Sequence, residues 1–456
     1  MMNLSGKKVT VIGLGKSGLA ACRLLLTQGA EVFVSEAKDD PSLRQGAESL
    51  VRSGVAVELG RHTREWVKGR DLVVTSPGVP SSSSPLRWAE SEKIPVMSEI
   101  ELGYLFCKGK IIAVTGSNGK STTVTLLGKM FKEGGQRAFV CGNIGEPFCD
   151  HVLEVSQEDW VILEVSSFQL EQCYSFRPRI AILLNISANH LDRHPSLEHY
   201  ISAKNRITQS QREEDFFLLN ADDSLAKDLG KNVSSRKRYF SRTKKVEGVF
   251  TKGKEILSSL DGQEERIGTF ETFRLPGSHN EENALAAVLA TLLAGVAPSA
   301  IQKTLATFEG LPHRIEFVGE IEGVRFVNDS KSTTVASTLC AVEALPDPLL
   351  LIAGGREKNE NFRALRNPLL KKVKRMILIG EAREKIRCAV AGWVETTFAA
   401  TLEEAVELAY RESKAGETVL LSPMCTSFDM FRDFEERGDR FKQSVEALRM
   451  RKQYAC

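Results

Sequence analysis

Short apolar runs alternate with helix-length amphipathic segments along this chain, in three successive series, and that alternation restricts the fold more than any other feature. Val9 to Ile12, Val32 to Val34, Leu72 to Val74 and Ile94 to Val96 form the first series, separated by patterns such as Leu19 to Gln28, which Gly29 can terminate. Ile111 to Thr115, Trp160 to Val165 and Ile180 to Leu184 open the second, which closes on an Ala-rich helical stretch near Asn283 to Ala294. After Leu311-Pro312 a third series runs through Leu349 to Ala353, Met376 to Ile379 and Val419 to Leu421. Apolar runs joined by crossover helices predict parallel strands, hence an α/β fold in tandem domains. At about 150 residues per domain, 456 residues make three. Joins near Ser98 and Gly310 give domains 1–98, 99–310 and 311–456.

Charge excludes some functions. Lys plus Arg is 61 and Asp plus Glu is 59, so a formal charge of +2 supplies no global field for nucleic acid or an anionic membrane. The basic stretch Lys231 to Lys245 lacks interleaved aromatics and is expected to be a solvated face. The nine cysteines never form a Cys-x-x-Cys pair, which disfavours a zinc knuckle or a disulfide framework. The longest nearly apolar stretch, Ala284 to Ala297, is shorter than the roughly 20 residues of a membrane span. A cytoplasmic protein without membrane insertion is expected.

Gly13-Leu14-Gly15-Lys16-Ser17-Gly18 follows the first strand and opens a helix, where backbone N–H groups can approach a diphosphate. Glu36 closes the next strand, where an acid would meet a ribose hydroxyl. Alone, these residues suit a nicotinamide-dependent oxidoreductase, or a tight turn without a ligand. Gly116-Ser117-Asn118-Gly119-Lys120-Ser121-Thr122 follows the strand Ile111 to Thr115, and its amides and Lys120 can neutralise a triphosphate while Ser121 reaches Mg²⁺. Its first glycine falls later than the usual spacing places it. Val161 to Leu163 delivers Glu164 to a strand end as a candidate metal ligand. His190 and His194, four apart, could share a helix face around a metal, although no His-Glu-x-x-His arrangement supports a zinc protease. Lys204 lies on a segment that Ser196 can cap and would ordinarily face solvent.

Gly116 to Thr122, Glu164-Val165-Ser166-Ser167-Phe168-Gln169-Leu170, His190-Leu191-Asp192-Arg193 and Leu311-Pro312-His313-Arg314 together closely resemble the muramyl ligase family. The tail Leu421-Ser422-Pro423-Met424-Cys425-Thr426-Ser427-Phe428-Asp429 resembles its D-glutamate-adding branch. The resemblance spans essentially the whole chain. It implies a Rossmann-like first domain that holds the UDP of a sugar nucleotide, a central P-loop domain with a parallel sheet, and a Rossmann-like third domain. The first-domain glycines then serve UDP rather than nicotinamide.

The implied UDP-substrate residues are Gly15, Ser17, Glu36, Gly78 and Asn143, although the family pattern has Asp and Thr where this chain has Glu36 and Ala37. ATP would be held by Gly116, Ser117, Asn118, Gly119, Lys120, Ser121 and Thr122, with Asn280 and Asn283 at the adenine and Arg314 and Asp329 reaching over from the third domain. D-Glutamate would meet Lys331, Thr333, Lys358, Ser427 and Phe434. Lys120, Glu164, His190 and Lys204 are the implied catalytic set. Two Mg²⁺ ions are expected, one by Ser121 and Glu164 and the other by His190 and Lys204, the lysine being carbamylated to N6-carboxylysine.

The implied reaction adds D-glutamate to UDP-N-acetylmuramoyl-L-alanine with ATP, because a carboxylate must first become an acyl phosphate before an amine can displace its oxygen. ADP and phosphate are the by-products, and a monomer is expected. Other ligases of this family or folate polyglutamylation share the central domain, but the Ser427-Phe428 signature argues against them. An oxidoreductase would leave Lys120 idle.

Overall fold

The computed structural model describes residues 2–187, 193–230, 233–260, 262–275, 277–357, 360–365 and 371–454, without the side chains of Ser42 and Tyr454. It forms two compact units. One comprises Met1–Phe273 with Ser278–Phe308, and the other Arg274–Gly277 with Glu309–Cys456.

The first unit carries two sheets. Strands β1 (Lys8–Ile12), β2 (Glu31–Glu36), β3 (Ala56–Leu59), β4 (Leu72–Thr75) and β5 (Val96–Ser98) pair in parallel in the order β3-β2-β1-β4-β5. Val9, Val11, Ile12 and Val73 are fully buried, as a parallel sheet covered on both faces requires. Chain order reverses around β1, and the pairing of Ile12 with Thr75 sets the Gly13 turn beside the Ser76-Pro77-Gly78 turn. Such a switch point is where open α/β sheets collect ligands.

The second sheet is built from β6 (Lys110–Thr115), β7 (Ala138–Gly142), β8 (Trp160–Glu164), β9 (Ile180–Leu183), β10 (Phe216–Asn220), β11 (Arg236–Ser241), β12 (Gly248–Lys252), β13 (Glu255–Leu260) and β14 (Gln263–Thr269), in the order β14-β13-β12-β11-β10-β9-β6-β8-β7. It is parallel from β7 to β12, as expected, and gains an antiparallel extension through β13 and β14. Those two strands carry serines and charges in place of an apolar run, which hid them from the hydrophobic pattern. The basic stretch supplies β11, where Arg238 pairs with Glu247 at 3.1 Å and Arg236 donates to the Glu213 carbonyl.

An apolar cluster runs without a break from Val9 and Leu24 through Phe148 to Leu163 and Phe217. It joins both sheets, and Arg23 clasps Asp150 with Nη2 at 2.7 and 2.8 Å from the two carboxylate oxygens. The first two α/β series therefore share one compact unit.

The second unit contains β15 (Glu316–Ile321), β16 (Val324–Asn328), β17 (Leu349–Gly354), β18 (Val373–Ile379), β19 (Glu395–Phe398) and β20 (Thr418–Leu421), in the order β15-β16-β20-β17-β18-β19. All pair in parallel except β15 with β16. Val335, Leu351 and Leu378 pack in the core on one side, and Ile352, Val406 and Phe441 on the other. No helix among the described residues is long and apolar enough to cross a membrane.

Candidate active site

The carboxyl ends of β6, β7, β8 and β9 are level. Val114 pairs with Glu164, Gly142 with Glu164, and Thr115 with Leu183. This register brings the Gly116 loop, Asn143, Glu164 and Asn185 to one sheet edge. Gly119 caps the helix Lys120–Glu133 at φ 87°, so the loop turns straight into a helix N-terminus. Asn185 pins the loop. Its carbonyl accepts from Ser117 N at 3.0 Å, its Oδ1 from Asn118 N at 2.9 Å, and its Nδ2 donates to the Asn118 carbonyl at 3.2 Å. Ser117 Oγ lies 3.0 Å from the Tyr200 hydroxyl. Ser121 and Thr122 are buried in the first helical turn.

Lys120 and Lys204 meet at one atom. The Gly116 carbonyl accepts from Lys120 Nζ and from Lys204 Nζ, each at 2.9 Å. Lys204 is 2 % exposed, unlike an ordinary helical lysine, which faces solvent. It sits on the helix Leu197–Asn205, capped by Ser196 as expected, and its Nζ lies 4.6 Å from the centre of the Tyr200 ring. Burial and the Lys120 charge, opposed by Glu164, hold its ammonium well below the ordinary lysine range.

Glu164 is buried as well. Its Oε1 accepts from Asn143 Nδ2 at 2.9 Å, while Oε2 is enclosed without a hydrogen-bond partner. A buried carboxylate oxygen left unpaired costs free energy unless something cationic completes it. His190 lies outside the described residues. His194 takes no part in a metal cluster among the described residues. It is buried, stacks on Phe168 at 5.1 Å, and places Nε2 2.9 Å from Ser167 Oγ.

On the helix Ser278–Leu293, Asn280 and Asn283 are both buried. The position of a Cβ on Gly119 falls against the Asn283 carboxamide, whose buried Nδ2 has no partner. Asn283 thus adjoins the phosphate loop.

At the switch point of the first sheet a cavity of about 630 Å³ is lined by Gly15, Ser17, Glu36 and Gly78. Glu36 accepts from Leu14 N at 2.7 Å and Lys38 N at 2.9 Å. Asn143 is absent from the described lining of this cavity and lies at Glu164.

In the second unit, Asp329 is buried and accepts from Ser422 Oγ at 2.8 Å and Ile315 N at 3.2 Å. Burial raises its pKa to about 6. Arg314 bridges Leu311, and Lys331 N donates to the His313 carbonyl at 3.0 Å. The Lys331 ammonium stands 5.7 Å from the centre of the Phe434 ring. Ser427 is buried, Thr333 is half-buried, and Lys358 lies outside the described residues. Sequence reasoning missed Arg437, which is 1 % exposed and ties this region together through Ser330 Oγ at 2.9 Å, the Ser330 carbonyl at 2.8 Å and the Cys425 carbonyl at 3.1 Å. It also missed Asn185 and Tyr200. Only the spacing of Tyr200, one helical turn before Lys204, hinted at a shared face.

Comparison with known proteins finds likeness along the whole chain. Residues 7–98 match the Mur ligase MurD-like N-terminal domain, 114–291 the Mur ligase middle domain, and 313–425 the Mur ligase glutamate ligase domain. The UDP-N-acetylmuramoylalanine--D-glutamate ligase of Thermoanaerobacter sp. (strain X514) is 43% identical over 453 residues, covering 98% of this chain and 100% of that protein. The protein of the same name from Acidobacterium capsulatum is 44% identical over 451 residues, with 98% of each covered. A pseudomurein peptide ligase type C from Methanothermus fervidus shares the fold with a TM-score of 0.59, at 18% identity, over 97% of this chain and 100% of that one. Full-length likeness of this degree, carried by all three parts of the chain, makes it a member of the Mur ligase family.

Proposed function

We infer that this chain is the ATP-dependent ligase that joins D-glutamate to UDP-N-acetylmuramoyl-L-alanine in peptidoglycan synthesis. The relatives' activity supplies the substrates. The structural observation that carries the chemistry is the meeting of Lys120 and Lys204 on the Gly116 carbonyl, at the sheet edge that also holds Glu164. Lys120 and a helix N-terminus concentrate positive potential where a γ-phosphate would be handed to a carboxylate, and the neutral amine of Lys204 stands beside them.

The substrate's L-alanyl carboxylate attacks the γ-phosphorus, and ADP leaves. Lys120 releases the Gly116 and Ser117 carbonyls to follow the charge gathering on the phosphoryl oxygens. The amino group of D-glutamate then attacks the acyl carbon, loses a proton, and expels phosphate as the amide forms. Asn280 and Asn283 receive the adenine end of ATP, and Arg314 and Asp329 are assigned to ATP by the family resemblance. Lys331, Thr333, Lys358, Ser427 and Phe434 hold D-glutamate. Gly15, Ser17, Glu36 and Gly78 hold the UDP group, with Asn143 toward its sugar end.

The described residues fit one divalent cation, and a second belongs to the proposal. Glu164 brings a buried oxygen that lacks a partner, and with Ser121 it would hold one Mg²⁺. His190 and a carbamylated Lys204 would hold the other. A lysine held well below its ordinary pKa presents the neutral amine that adds to CO₂, releasing one proton as the carbamate forms. When bound, the cations neutralise charge between carboxylate and γ-phosphate. A monomer working in the cytoplasm, with domains 1–98, 99–310 and 311–456, completes the reading. The three matched family regions fall within those bounds.

The test is phosphate release from ATP and Mg²⁺ with UDP-N-acetylmuramoyl-L-alanine, comparing D- with L-glutamate. Release that depends on D-glutamate is expected. Release indifferent to the amino acid, or none, overturns the assignment. Dependence of the rate on bicarbonate tests the Lys204 carbamate separately.

A further inference from the structure

No motif drew attention to His62, which follows β3 in Leu59-Gly60-Arg61-His62-Thr63, yet it lines the same cavity as Gly15, Ser17 and Glu36. Its ring is held from behind. His62 Nδ1 lies 2.8 Å from Ser35 Oγ, and Ser35 Oγ donates to Glu58 Oε2 at 2.9 Å. Thr63 secures the same carboxylate, its N–H donating to Oε2 at 3.0 Å and its hydroxyl to Oε1 at 2.7 Å.

This relay fixes the tautomer. Glu58 accepts from Ser35 Oγ and from the N–H and hydroxyl of Thr63, so the single Ser35 hydroxyl proton is committed to Glu58. Ser35 Oγ can then offer His62 only a lone pair, and Nδ1 must carry the ring proton. Burial holds the imidazole below its ordinary pKa against the opposing charges of Glu36 and Glu58, so the ring is neutral. Nε2 is left as a bare acceptor, with no hydrogen-bond partner among the described residues. Glu36, the neighbouring carboxylate, already has one backbone N–H on each oxygen.

We infer that His62 Nε2 accepts a hydrogen bond from N3–H of a uracil base, making His62 the residue that reads uridine against cytidine nucleotides in this cavity. The inference rests on the UDP-sugar reading above. Uracil carries a proton on N3, where cytosine presents a lone pair. The locked ring meets the first with a hydrogen bond and the second with two lone pairs face to face, leaving two polar atoms unpaired.

Calorimetric titration of the full chain with UDP and with CDP tests this. The parent is expected to bind UDP at least about tenfold more tightly than CDP. His62→Ala should bring the two within about threefold, chiefly by weakening UDP. His62→Gln, which retains an acceptor oxygen at similar reach, should restore part of the preference. Ser35→Ala should narrow the preference with His62 in place, because Nδ1 loses the lone pair that fixes its proton. A parent without preference, or a His62→Ala protein that still binds UDP with the parent's preference, overturns the assignment of His62 alone. A parent that binds no UDP overturns the sugar-nucleotide reading and this assignment with it. Unchanged melting temperature of the His62→Gln and Ser35→Ala proteins separates loss of recognition from loss of fold.

Discussion

A Cβ placed on Gly119 would stand 2.1 Å from Asn283 Oδ1, while the Gly119 backbone holds φ at 87°. The phosphate loop and the helix Ser278–Leu293 thus meet with room for a hydrogen and nothing more. Gly119→Ala has to strain the backbone and displace the carboxamide, each costing about 1–3 kcal/mol. It is expected to lower the melting temperature and raise the KM for ATP at least about tenfold. A protein with normal ATP kinetics would show that this contact plays no part in nucleotide binding.

Much of this edge was legible in the sequence. Gly116 to Thr122 stands where the spacing put it, because a strand followed by glycines and a helix leaves the chain few alternatives. Glu164 closes β8 for a similar reason, as Val161 to Leu163 are apolar enough to be buried on both faces. The burial of Lys204 was illegible in the pattern of its own segment, since a lysine in an amphipathic segment ordinarily faces water and the groups that hold its ammonium, Thr115 Oγ1 and the Gly116 carbonyl, lie 89 and 88 residues away. Asn185 and His62 were illegible for a like reason. Their partners are 67 and 27 residues away, distances over which periodicity carries no information.

Lys120 and Lys204 share an acceptor but should respond differently to removal. Lys120→Ala should cut turnover at least about 10²-fold, through lost stabilisation of the charge developing on the phosphoryl group. Lys204 has a folded pKa well below 10.5, so in the bicarbonate-free protein the cost of burying its ammonium is full below that folded pKa and declines as pH rises toward 10.5. Lys204→Met removes that cost. Its stability at pH 7 should match or exceed that of the bicarbonate-depleted parent, rise less steeply with alkalinity, and accompany a turnover loss of at least about 10²-fold. Urea melts at pH 7 and 9.5 check the stability, and phosphate release checks the turnover.

Asp329 gives the second unit a pH dependence of predictable sign. Its pKa of about 6 lies above the ordinary 3.8, so the folded chain takes up the proton first. The carboxyl therefore contributes stability at acid pH that is lost as pH rises from 3.8 through about 6, amounting to about 3 kcal/mol by pH 7. Asp329→Asn cannot titrate. The difference between its stability and the parent's should shift in its favour by that order between pH 4 and 7, measured from urea midpoints of the whole chain. A pH-independent difference would place the Asp329 titration elsewhere.

Asn143 has a structural role that its sequence reading did not include. The family resemblance puts it at the UDP substrate, whereas its Nδ2 supports Glu164 Oε1 at 2.9 Å. Removing that donor leaves both Glu164 oxygens without a hydrogen bond in a buried site, at about 1–3 kcal/mol. If support of Glu164 dominates, Asn143→Ala raises the Mg²⁺ concentration needed for half-maximal rate by about tenfold and lowers kcat, as loss of an outer ligand contact does. If substrate contact dominates, the KM for UDP-N-acetylmuramoyl-L-alanine rises and the Mg²⁺ dependence stays put. The hydrogen bond favours the first outcome. Steady-state rates measured over a grid of Mg²⁺ and sugar-nucleotide concentrations distinguish the two, and a KM change confined to the sugar nucleotide would reject the supporting role.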